Sequence, residues 1–195
     1  MILWRNSLSS VHIAIVHYPV YDKNGHTIAT SITNVELHDI ARTCMTFGIE
    51  VCYIVTPLPK QRTIMERLMH HWKSGYGAQY NPLRGMALEK IRIAESVPSM
   101  IASIEGNPVV IGTSSHVKNH DMIGYRELRE MIQSNTRPVL ILFGTGWGLT
   151  DEVLHVCDTM LEPIKGTGHY NHLSLRVAVG IILDRIFSDR GGDYE

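Results

Sequence analysis

Four nearly continuous apolar runs punctuate the chain: VHIAIVHY at 11–18, VCYIVTP at 51–57, PVVIGTSS at 108–115 and VLILF at 139–143. A strand with one wet face alternates apolar and polar residues; these runs do not, so each expects burial on both faces. Between them lie segments of helical period. In residues 34–47 the apolar positions Val35, Leu37, Ile40, Ala41, Cys44 and Met45 follow that spacing, and Gly48 is a natural stop. Residues 60–72, 125–133 and 173–187 read as helices as well, and KIRIAESV (90–97) reads as a strand, with Pro98 opening a short helix to Ile104. Strand and helix in alternation imply an α/β fold, a parallel sheet with helices on both faces. The stretch DEVLHVCDTML after residue 150 is expected to be helical, KSGYGAQYNPLR (73–84) to be a long surface loop, and the tail SDRGGDYE to fray.

The chain has 195 residues, a length that one domain fills, and we expect a single domain over 1–195. Its 18 Lys and Arg nearly balance 19 Asp and Glu, so it lacks the bulk positive charge of a constitutive nucleic-acid binder. RNA contact would need a local patch. The three cysteines, Cys44, Cys52 and Cys157, are widely spaced, which suits a reducing compartment and argues against a disulfide framework or a zinc site. No apolar run reaches the roughly 20 residues of a membrane span, and MILWRNSLSS is a poor signal peptide. A cytoplasmic protein with no membrane partner is expected.

The chemistry concentrates after the fourth run. VLILFGTGWGLTDE (139–152) carries Gly144, Gly146 and Gly148 between a strand and a helix-like segment. The dinucleotide fingerprint GxGxxG fits badly, since the third glycine comes one residue early and the turn lies past residue 140. A phosphate-cradling P-loop needs Lys-Ser or Lys-Thr after its last glycine, and here Leu149-Thr150 follow. LEPIKGTGHYNHLS (161–174) is a second glycine-bearing loop, with Asn171 and Ser174 able to cap a helix. GTSSHVKNH (112–120) is a third. Loops at the carboxyl ends of parallel strands could converge on one small ligand.

Taken together, three blocks resemble the SPOUT superfamily of RNA methyltransferases, and more narrowly a group of stand-alone bacterial members similar to the tRNA ribose 2′-O-methyltransferase branch. NVELHDIARTCMTFGIEVCYIVTP (34–57) is similar to the first family motif, VLILFGTGWGLTDEVL (139–154) to the second and LEPIKGTGHYNHLSLRVAVGIILDRIF (161–187) to the third. They occur in the family's order across most of the chain. The second motif departs from the ribose-methylating branch: Thr145-Gly146-Trp147 stand where that branch carries a Glu between glycines.

The resemblance implies a C-terminal trefoil knot, within about residues 108–187, and a homodimer. It implies S-adenosylmethionine as cofactor, held by Thr113, Ser114, Phe143, Gly144, Gly146, Gly148, Ile164, Gly166, Asn171, Leu173 and Ser174. It implies catalytic roles for Asn34, Arg42 and Ser174, and an RNA substrate, tRNA or rRNA, methylated on a ribose hydroxyl or a base nitrogen. Arg42 suits a bidentate phosphate clamp that stabilises a developing alkoxide, or else pairs with Asp39 on its own helix. His38 and Asp39 are acid/base candidates or a solvated helix face. His169 and His172 lack the companion ligands of a metal site, and no metal is expected. Arg176 is a phosphate contact or an interface charge, and Trp147 a pocket wall or a stacking surface. Trp72, Lys73, Tyr76, Tyr80 and Arg84 could hold unpaired RNA bases. The competing reading is a cofactor-binding RNA module without catalysis. A nucleotide-dependent oxidoreductase on an ordinary doubly wound sheet is a third.

Overall fold

The computed structural model describes residues 9–115, 121–134, 136–168 and 170–188. In chain order its strands and helices are β1 (Val11–Val16), β2 (Val20–Tyr21), β3 (Thr27–Ile28), α1 (Asn34–Phe47), β4 (Val51–Val55), α2 (Pro59–Lys73), α3 (Tyr76–Tyr80), α4 (Pro82–Leu88), β5 (Ile91–Ala94), α5 (Val97–Ala102), β6 (Val109–Gly112), β7 (Met122–Ile123), α6 (Tyr125–Ser134), β8 (Val139–Gly144), α7 (Asp151–Leu154), β9 (Thr159–Leu161) and α8 (Leu175–Phe187). Seven strands form one sheet in the order β5-β4-β1-β8-β6-β9-β7. Every pairing in it is parallel. β2 and β3 make a separate antiparallel ribbon.

The continuous apolar runs are explained by position. β1 lies between β4 and β8, with Ile13 opposite Cys52 on one side and Ile141 on the other. Successive side chains point to opposite faces. Ile13, Ile15, Val139, Ile141 and Phe143 join one core with α1, α6 and α8. Ala14, Val16, Leu140 and Leu142 join a second with α5, Val20, Leu149 and Val153. Both layers are dry, so no polar alternation is possible at the sheet centre. Helix α1 follows the predicted boundaries: Thr33 accepts from the Glu36 N–H at 3.2 Å, and Gly48 closes the helix at φ 70°.

Two expectations fail. Residues 73–84 are not a loop: α3 and α4 occupy most of that stretch, stacked on α2. Asn81 caps α4 by accepting from the Arg84 N–H at 3.2 Å, and Pro82 fits its first turn. Gly77 and Gly85 let these helices close on Trp72, where an added Cβ would stand 2.6 Å from a ring carbon or the carbonyl oxygen. The second failure is DEVLHVCDTML. Its helix ends after one turn at Leu154, and Thr159–Leu161 becomes a strand. The cause is Asp158, whose carboxylate accepts from the Val110 N–H at 2.8 Å while its own N–H donates to the Val110 carbonyl at 2.8 Å. That two-point clasp pulls the chain onto β6. The tail beyond Ser188 lies outside the described residues. Among the described residues no helix is long and apolar enough to cross a membrane.

Candidate functional site

The glycine turn after β8 is held by its neighbours. Thr145 N–H donates to the Val16 carbonyl at 3.2 Å, and Trp147 N–H to the Tyr21 carbonyl at 2.9 Å. Tyr21 N–H returns a bond to the Gly148 carbonyl at 2.9 Å, so the β2–β3 ribbon clamps the turn from outside. The glycines serve different needs. A Cβ on Gly144 would meet the Leu149 amide nitrogen at 2.6 Å, and backbone cannot step aside. Gly148 sits at φ 108° with nothing within 4 Å of a Cβ, so its constraint is conformational.

The other two loops are built from small polar residues. Thr113 is anchored twice to the Leu142 carbonyl, through its N–H at 3.0 Å and its hydroxyl at 2.9 Å. Asn171 accepts from the Gly166 N–H at 3.3 Å and closes the loop leading into α8. Ser174 stands at the α8 N-cap in extended backbone and makes no side-chain capping bond.

These loops enclose one cleft of about 710 Å³ at the carboxyl ends of β1, β6, β8 and β9. Of the residues expected to hold a cofactor, Thr113, Ser114, Phe143, Gly144, Gly146, Gly148, Ile164, Asn171, Leu173 and Ser174 line it. Gly166 is outside the lining and acts through its bond to Asn171. Two of the three expected catalytic residues are also outside: Asn34 and Arg42 are exposed on α1, and only Ser174 lines the cleft. Arg42 makes no hydrogen bond or ion pair among the described residues, and Asp39 pairs instead with Arg176 of α8 at 2.5 Å.

The wall facing the glycine turn was not anticipated. His17, Thr30, Ser31 and Glu36 line it. His17 is 1% exposed at the end of β1. Its Nδ1 is 2.9 Å from the Thr30 hydroxyl, which also contacts the Thr145 hydroxyl. Its Nε2 is 3.0 Å from Glu36 Oε1. Two sequence signals mark this pair: a histidine ending a strand that is otherwise apolar, and Thr33-x-x-Glu36, which has the form of a helix capping box. In a capping box the Glu reaches back to the cap's own N–H. Here that bond is missing and the carboxylate turns towards His17.

The other candidates divide between packed and exposed positions. His38 stacks edge-on against Trp72, and burial, then the nearby Arg84 charge, lowers its pKa, which favours the neutral ring. Trp147 is exposed beside His172, which lines the cleft and also meets Tyr170. His169 and residues 116–120 lie outside the described residues. Arg84 lies over the Trp72 ring at 4.3 Å, and Tyr76 and Tyr80 stack on each other in exposed positions. Burial pushes Cys157, behind the loops, up to about 12.

The lining chemistry discriminates among ligands. Among the described residues it holds two carboxylates, Glu36 and Glu162, and no lysine or arginine. A dinucleotide pyrophosphate would meet uncompensated negative charge there. A sulfonium nucleoside carries a cation, which the carboxylates suit, and a flat base, which the apolar Leu161, Ile164, Ala178 and Ile182 suit. The volume falls within the range of about 300–1,000 Å³ usual for small-molecule sites.

Comparison with known proteins agrees. The chain is 41% identical, over 184 residues, to a tRNA (guanine-N(1)-)-methyltransferase of Oleidesulfovibrio alaskensis; the match covers 92% of this chain and 42% of that protein. It is 41% identical to an uncharacterized protein of Aquifex aeolicus, covering 92% of this chain and 89% of that one. Among solved structures it shares its fold with the SpoU methyltransferase AviRb of Streptomyces viridochromogenes, crystallised with the cofactor AdoMet. The TM-score is 0.59 at 13% identity, over 93% of this chain and 58% of that one. Residues 10–188 match the family model described as SAM-dependent RNA methyltransferase, and the chain belongs to that family.

Proposed function

We propose that the chain binds S-adenosylmethionine in the cleft between the β6, β8 and β9 loops and transfers its methyl group to RNA. The observation that carries this reading is the lining itself: ten of the expected cofactor residues share one cleft that holds, among the described residues, two carboxylates and no lysine or arginine. Phe143–Gly148 and Ile164 would hold the base and ribose through backbone, Thr113 and Ser114 the first loop, and Leu173 and Ser174 the rim. When bound, the cofactor supplies a methyl group on a cationic sulfur; the protein supplies orientation and electrostatics. Arg42, exposed and unpaired, suits an RNA phosphate, and Asn34, about two turns earlier on the same helix, suits a substrate contact.

The acceptor is tRNA or rRNA, through a ribose hydroxyl or a base nitrogen. The chain spans less than half of the curated tRNA methyltransferase that it matches, so the guanine-N1 chemistry in that relative's name does not transfer with the match. We further infer a single domain over 1–195, a trefoil knot within about residues 108–187, a homodimer and a cytoplasmic setting. A non-catalytic RNA module with the same pocket is the second reading, favoured by Thr145-Gly146-Trp147, which offer no acid within the glycine turn.

Calorimetry with S-adenosylhomocysteine tests the pocket, and tritium transfer from labelled S-adenosylmethionine into RNA of a gene-deleted strain tests the chemistry. Binding with incorporation is expected. Binding without incorporation establishes the module, and absence of binding at millimolar ligand overturns both.

A further inference from the structure

We propose that Glu36 is the proton acceptor of the methyl-transfer step, with His17 as the residue that positions it. This rests on the function proposed above. The pair stands on the wall of the cleft that holds no glycine turn, facing the loops assigned to the cofactor. His17 is 1% exposed and Glu36 15%, yet both line the cleft. Nε2 and Oε1 are 3.0 Å apart, and neither has an aligned hydrogen-bond partner among the described groups. Buried polar atoms are ordinarily satisfied, and exceptions concentrate where a site has work to do. Glu36 has also left the capping bond that its position offers, with Thr33 still capping the helix alone.

The histidine is fixed from behind. Its backbone N–H donates to the Val55 carbonyl at 2.9 Å, and its carbonyl accepts from the Thr30 N–H at 2.9 Å. Thr30 also engages Nδ1, and Thr145, on the glycine turn, engages both the Thr30 hydroxyl and the Val16 carbonyl. A chain of side chains therefore runs from the glycine turn through Thr145, Thr30 and His17 to Glu36. The ring so fixed stands 3.0 Å from one carboxylate oxygen of Glu36, which lines the cleft.

An acceptor that carries a proton, a ribose hydroxyl or a base N–H, must lose it. The acceptor's lone pair forms the new bond to the methyl carbon, the carbon–sulfur bond breaks with its electrons going to sulfur, and the acceptor's proton passes to the Glu36 carboxylate. Solvent at the cleft mouth then removes it. No further reactant is needed. The role holds for a ribose hydroxyl and a base N–H alike.

The titratable groups around the pair are the buried Cys52 and Cys44 behind it, with Glu162 and His172 elsewhere on the lining. Burial, then Cys44, pushes the Cys52 thiol well up, with the Glu36 charge adding to the shift, which leaves it protonated near neutrality. The test compares the wild-type chain with Glu36→Gln and His17→Gln in single-turnover tritium transfer to RNA from a gene-deleted strain, with S-adenosylhomocysteine calorimetry beside it. Glu36→Gln should bind S-adenosylhomocysteine within about threefold of wild type, lose about 100-fold or more in rate and gain a rate that climbs with hydroxide. His17→Gln should lose about tenfold in rate with unchanged affinity for S-adenosylhomocysteine. In labelled imidazole nitrogen spectra, Glu36→Gln should shift the His17 Nε2 resonance while the other histidines stay put. Wild-type incorporation with undiminished transfer by Glu36→Gln overturns the proton role alone. So does a Glu36→Gln chain that no longer binds the cofactor, since Glu36 is then a ligand contact. A wild-type chain that labels no RNA overturns the function and this role together.

Discussion

The two walls of the cleft are made of different material. One is built from loops: the glycine turn after β8, the Thr113–Ser115 segment, and Leu161 to Ile164 with Asn171 to Ser174. The other is side chain: His17, Thr30, Ser31 and Glu36, brought from the end of β1, the segment after β3 and the start of α1. A backbone wall fixes shape and excludes larger side chains. A side-chain wall fixes charge and protons. The first tolerates change at no position where an atom would strike the main chain, and the second does not tolerate a change that conserves shape but removes a charge or a hydrogen-bonding group.

Substitutions should separate the walls. Gly144→Val should be the most damaging, because its Cβ would stand 2.6 Å from the Leu149 nitrogen. A loss of about 2–3 kcal/mol is expected, read by chemical denaturation, with S-adenosylhomocysteine binding gone. Thr30→Val strips His17 Nδ1 and the Thr145 hydroxyl of a partner and should cost about 1–3 kcal/mol. Binding should survive and methyl transfer should fall, which would show that the side-chain wall serves turnover. Gly148→Ala has room but the wrong φ, 108°, and should cost about 1–2 kcal/mol; calorimetry should find weaker binding with the fold intact. Arg42→Ala should leave stability within about 0.5 kcal/mol and cofactor binding unchanged, while filter binding of RNA weakens and its salt dependence flattens. The smallest effect is expected at Cys157, packed behind the loop wall and pushed up to about 12 by burial. Alkylation at pH 8 should leave it unmodified in the native chain, and rapid modification there would mean that the loops open.

The difference between the walls also sets what sequence alone reveals. Glycine at alternate positions after an apolar strand is a local mark, and Gly144, Gly146 and Gly148 announce a turn that backbone must approach closely. Strands β1, β4, β6 and β8 were legible for the same reason: burial on both faces writes itself into consecutive residues. His17 and Glu36 are 19 positions apart, and their pairing exists only because α1 packs against the sheet. Arg42 and Asn34 drew attention through motif likeness, yet the face of α1 that reaches the cleft carries Glu36. Strand β9 was read as helix because its residues are good helix formers, and the clasp of Asp158 on Val110 overrode them. The α3–α4 pair was read as loop because its glycines look like breakers, whereas Gly77 and Gly85 are contact points with Trp72.

The strand order carries a consequence for how the chain is made. Of the described strands β1 leaves the ribosome first, and its partner β4 follows within 40 residues, but its other partner, β8, begins at Val139. Three of the sheet's seven strands, β5-β4-β1, can assemble during synthesis while the open edge of β1 waits for a strand that does not yet exist. Over that interval an apolar hydrogen-bonding edge faces outward, ready to pair with a neighbouring nascent copy. Slow translation between residues 94 and 139 would lengthen the wait, and aggregation during expression should rise with it.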